Sequence, residues 1–160
     1  MPDQGLLDVY LSDHLAGAAA GLELARRMAD SQSEPELVQI ANEIEADRET
    51  LREVMSAVGV SPPLLKVALG WVGEKAGRLK LNDRLFGRSP LSSVIELESL
   101  IAGVSGKLEL WRALATIAPS DGRLARFEFD RLASRAEDQR RRLEDLHAEA
   151  VRDALGSGGG

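Results

Sequence analysis

Residues 43–49, Glu-Ile-Glu-Ala-Asp-Arg-Glu, carry the densest set of groups able to do chemistry in the middle of an otherwise apolar stripe. Read at helical spacing, Leu37, Ile40, Ile44, Leu51, Val54 and Val58 share one face, and the middle turn of that face offers only Asp47 or Arg48. A charge at the midpoint of a core-facing stripe serves one of two chemistries. Carboxylates such as Glu45 and Asp47 can ligate a cation, or they can neutralise a buried guanidinium. A lone buried charge costs several kcal/mol, so Arg48 is expected to meet a carboxylate, with Glu45, Asp47 or a glutamate of another helix to hand.

Composition removes several alternatives. The chain has 160 residues, one ordinary domain, and no cysteine. Disulfides, thiolate metal sites and cysteine nucleophiles are therefore excluded. The formal charge of −6 argues against general nucleic-acid binding, which needs a basic face to displace counterions. The opening residues show no basic segment followed by an apolar run, and no stretch has eighteen uncharged apolar residues. We expect neither a secretory signal nor a transmembrane segment, and a cytoplasmic location. One tyrosine and no Ser/His/Asp set on recognisable turn chemistry make catalysis an unfavoured reading, and no cofactor is implied.

Four long helices must position these groups, at about 5–30, 34–58, 90–118 and 122–155. Ser33 and Glu36 have capping-box spacing, Gly59 stops the second helix, and Ser89 before Pro90 starts the third. Residues 59–89 are too many for a plain turn, and Leu65, Ala68, Leu69, Val72, Ala76 and Leu79 give them an apolar stripe of their own. Short links make helices one and two, and three and four, antiparallel neighbours, while the long link lets two and three run parallel. The reading is an all-α four-helix bundle with a partly helical crossover, forming a single domain over 1–155, and a flexible Gly-rich tail at 156–160.

That architecture resembles the ferritin-like superfamily, whose di-iron members set Glu-x-x-His on two helices and a Glu on each of the others. The resemblance implies a ligand set of Glu45, Glu137, Glu144 and His147. It also shows what departs from the pattern. Glu45-Ala46-Asp47-Arg48 and Glu137-Asp138-Gln139-Arg140 put arginine where histidine would stand, and arginine has no lone pair for iron. Glu144-Asp145-Leu146-His147 keeps the motif without a mate, and His14 would lie roughly 20 Å from His147 along the bundle at ~1.5 Å per residue. The strings DHLAG, EKAGRLK and SPLSSVIELE are also similar to those of small bacterial helical proteins without an assigned activity.

The preferred reading is therefore a polar belt that sets helix register, drawn from His14, Glu45, Asp47, Arg48, Ser105, Gln139 and Arg140, in a non-catalytic structural or protein-interaction protein. The alternative is a metal-binding carboxylate protein. Gly17-Ala-Ala-Ala-Gly21 has the spacing of a close helix approach, within the bundle or between copies of the chain, so a homo-oligomer or another protein is the expected partner. Gly103-Val-Ser-Gly-Lys107 lacks the remaining residues of a phosphate loop and is rejected as one. The crossover from Lys66 to Arg88 holds six basic residues against two acidic ones. Lys66, Lys75, Arg78, Lys80, Arg84 and Arg88, with Trp71 as an anchor, form a candidate docking surface for an anionic partner.

Overall fold

A computed structural model describes residues 2–32, 34–60 and 89–156. The described residues contain four long helices and no strand: α1 (Gln4–Gln32), α2 (Pro35–Val58), α3 (Pro90–Ile117) and α4 (Phe129–Leu155). None of them is long and apolar enough to cross a membrane. The crossover residues 61–88, the tail residues 157–160 and Ser33 lie outside the described residues.

The boundaries follow from local chemistry. Asp3 accepts the Leu6 amide at 3.0 Å and so closes the first turn of α1. At α2 the cap is Glu34, whose side chain accepts from the Glu36 amide at 3.4 Å, with Pro35 in the first turn where it needs no donor. Gly59 ends α2 in the left-handed region, at φ 74°, and its N–H reaches Ser56 O at 3.2 Å. Ser89 caps α3, its amide donating to Ser92 Oγ at 3.3 Å.

The fourth helix begins at Phe129, seven residues later than the sequence reading places it. Two short 3-10 turns, Ala118–Ser120 and Gly122–Leu124, take the intervening chain. Their cause is buried Asp121, which accepts from the Arg123 amide at 3.1 Å and from Arg123 Nε at 2.9 Å. Arg123 then donates to Val58 O at 3.0 Å, tying this corner to the end of α2. Leu124 is driven fully into the core, and Phe129 stacks on Trp111 with centroids 6.3 Å apart. Apolar residues from 124 onward thus keep a helical phase in the sequence while the backbone turns a corner.

Helix α3 packs most extensively on α4, and α1 on α2 and then α3; α2 and α4 approach one another far less. The contacts between helices join early residues of one to late residues of the next. Gln4 reaches Val58 O at 2.9 Å, Arg27 pairs with Glu96 at 3.1 Å, and Glu98 meets His147 at 3.2 Å. The core is aliphatic, with Leu11, Met28, Ile40, Leu51, Leu100 and Leu114 among its fully buried side chains. Each contributes roughly 1.5–3 kcal/mol by leaving water, so apolar burial supplies the bulk of the folding drive. The α2/α4 side is built differently.

Candidate functional site

On α2, Glu36, Glu43 and Asp47 recur at spacings of seven and four, which keeps three carboxylates on one face. On α4, Arg135, Gln139 and Arg142 recur at four and three and do the same with donors. The two faces meet where the α2 and α4 backbones make few close approaches, and long side chains span the gap. Asp47 lies at its centre, only 1% exposed. It takes Lys107 Nζ from α3 at 2.5 Å, the guanidinium of Arg135, and Gln139 Nε2 at 3.3 Å.

Gln139, fully buried, links the two halves of the network. Its carbonyl oxygen accepts from Lys107, and its amide also donates to Glu43 at 3.0 Å. Glu43 in turn accepts from Gln39 at 3.0 Å and from Arg142. Arg142 closes the belt on Glu36 and Asp138, both at 2.9 Å. Burial pushes the Lys107 ammonium below the ordinary lysine value, and the Asp47 carboxylate acts against that shift. Burial would raise Glu43, yet hydrogen bonds from Arg142, Gln139 and Gln39 outweigh it and hold the carboxyl below its usual range. Removing one partner from a buried pair of this kind costs about 3–5 kcal/mol, because the survivor is left charged and unsolvated.

Of the seven residues expected in a polar belt, the structure brings together Asp47 and Gln139. Arg48, expected to meet a carboxylate, forms no ion pair among the described residues and turns instead toward a cavity between α1, α2 and α3. Its neighbour Glu45 is taken by Arg26 at 2.6 Å, on the α1 side of the same helix. Ser105 spends its hydroxyl within its own helix, on Ile101 O at 2.8 Å. Arg140 leans along α4 to Glu144 at 3.5 Å, and His14 packs edge-on against Tyr10 with centroids 4.6 Å apart. Burial keeps the His14 imidazole below its ordinary pKa.

The metal set suggested by Glu45, Glu137, Glu144 and His147 does not assemble. Glu45 pairs with Arg26, Glu137 with Arg112 at 3.4 Å, Glu144 with Arg140, and His147 with Glu98. Among the described residues no group of three His, Asp or Glu side chains could hold a metal ion. At mid-bundle Lys107, Arg135 and Gln139 take both oxygens of the Asp47 carboxylate. Nor do Gly17 and Gly21 mediate a close helix approach within the described residues, since a Cβ at either would meet nothing within 4 Å. The basic crossover residues Lys66, Trp71, Lys75, Arg78, Lys80, Arg84 and Arg88 lie outside the described residues.

Glu36, Glu43, Lys107, Arg135, Asp138 and Arg142 join the belt without having been among the residues expected in it. The signal was the matched spacing of the acidic triplet on α2 and the donor triplet on α4. No protein-family model matches this sequence, and no curated protein and no solved structure matches it either.

Proposed function

We infer that the chain is a ferritin-like, one-crossover bundle of antiparallel neighbours that works without catalysis, as a structural or protein-interaction module. The observation that carries this reading is Asp47, held at mid-bundle by Lys107, Arg135 and Gln139 from two other helices. Both carboxylate oxygens of Asp47 are taken by these partners, which leaves neither free for a cation. The paired groups serve instead to fix which turn of α2 faces which turn of α4, since a one-turn slip would part Asp47 from Arg135 and Glu43 from Arg142. Leu6, Val9 and Tyr10 support an interaction role. They share one exposed face at the start of α1, with Leu6 72% exposed, where a second copy or another protein could cover them.

Elemental analysis of protein purified without chelator tests the non-metal part of this reading. The expected result is no stoichiometric iron, manganese or zinc. A stoichiometric metal that is lost in a Glu144→Ala, His147→Ala double variant would establish the di-metal alternative. Sedimentation velocity tests the interaction face: self-association in the native chain should weaken in Leu6→Lys, Val9→Lys, and a chain that is monomeric at all concentrations removes the self-associating version.

A further inference from the structure

Four helical glycines surround one cavity. Gly17 and Gly21 of α1 face Gly103 and Gly106 of α3 around a space of about 220 Å³, closed on the α2 side by residues that include Arg48. Glycine is destabilising relative to alanine inside a helix, and close packing is the usual reason to accept it. That reason fails here, because a Cβ at any of the four positions meets no atom within 4 Å. What the glycines leave is volume. Gly17 and Gly103 are exposed, so the space opens to solvent along the α1/α3 seam.

The wall is mostly apolar, with two buried donors set into it. Trp111 is 1% exposed and lines the cavity, and among the described residues its indole N–H has no hydrogen-bond partner. Arg48 also lines it, and its Nε is buried and equally without a partner. An orphaned donor in a buried wall is costly, and an acceptor on a ligand would recover that cost. Charge favours a negative acceptor. Arg48 forms no ion pair among the described residues, whereas Asp47 of the same wall is already answered by Lys107 and Arg135. Asp13, the other acid of the wall, is exposed, and His14 is kept neutral by burial.

We propose that this cavity binds a small monocarboxylate with a compact aromatic or branched apolar body, its carboxylate taken by the Trp111 indole N–H and the Arg48 guanidinium. The size fits, since an apolar cavity of about 150 Å³ accepts benzene and this one has room for a short acidic arm besides. The site is independent of whether the charge belt sets register, so either idea can fail alone.

Titration calorimetry with 3-phenylpropionate, with 3-phenylpropanol as the neutral counterpart, tests it alongside the tryptophan indole signals in a 1H–15N spectrum. The expected result is saturable 1:1 binding of the acid that moves the Trp111 indole signal. Arg48→Ala should weaken the acid on the order of tenfold and leave the alcohol unchanged. Gly17→Val with Gly103→Val should fill the space and abolish binding of both, with helicity and melting temperature retained; should that variant fail to fold, Gly17→Ala with Gly103→Ala should still weaken both. Absence of saturable binding in the native chain, or undiminished binding in the filled variant, overturns the site. Equal loss of acid and alcohol in Arg48→Ala overturns the carboxylate.

Discussion

Asp47 and Lys107 stand 60 residues apart in the chain and 2.5 Å apart in the fold, joining α2 to α3 through the middle of the molecule. Neither helix owes its formation to this pair, because each has its own cap and its own apolar stripe. On the reading proposed above, the pair decides alignment. Aliphatic side chains tolerate a shift of one turn with modest loss, whereas a buried ammonium displaced from its carboxylate has nowhere to go. That reading has register set by charge and stability by apolar burial.

Replacement of Gln139 by leucine keeps the volume and removes both the acceptor for Lys107 and the donor to Glu43 and Asp47. Gln139→Leu is expected to lower stability by about 1–3 kcal/mol, the cost of leaving buried polar groups unpaired. Urea unfolding followed by circular dichroism reads the change; an unaltered midpoint would mean that Gln139 is packing and no more.

Glycines should respond in opposite directions. Gly59→Ala must place a side chain at φ 74°, where only glycine is at ease, and should cost about 1 kcal/mol. Gly17→Ala and Gly103→Ala meet open space in ordinary helix and should each gain about as much, a rise of roughly 2–4 °C in melting temperature for a domain of this size. Thermal melts of the three variants side by side check both signs.

Acid should loosen the belt at Glu43. Its folded pKa lies below the ordinary 4.5, so its stabilising contribution is complete above that value and is lost as pH falls through the folded one. Native protein is expected to lose more stability than Glu43→Gln between about pH 5 and about pH 3. Equal losses in the two proteins, measured by urea midpoints, would contradict the inferred role of Arg142 and Gln139 as partners of an ionised Glu43.

Much of the architecture was legible because it is written in punctuation: Gly59 ends α2, and Ser89 with Pro90 opens α3. The start of α4 was not, because Leu124 and Phe127 keep a helical phase while Asp121 grips Arg123 and turns the chain. At the site, the broken stripe drew attention to positions 47 and 48, and Asp47 is buried. It could not say which of the two faced inward, since adjacent residues differ by only about 100° around the helix. Asp47 turned to α4 and Arg48 to the cavity. Lys107, Arg135 and Arg142 carry no local signal of the belt, because Asp47, Glu43 and Glu36 sit on another helix, and which helices adjoin depends on a topology the pattern of one chain does not display.

A double-mutant cycle on Asp47 and Lys107 addresses the charge belt most directly. Asp47→Ala alone and Lys107→Met alone should each be costly, the first by about 3–5 kcal/mol, and the double variant should cost at least about 1 kcal/mol less than the two together. Single costs that simply add, to within about 0.5 kcal/mol, would show that the two groups do not depend on one another and that charge does not hold the centre of this bundle.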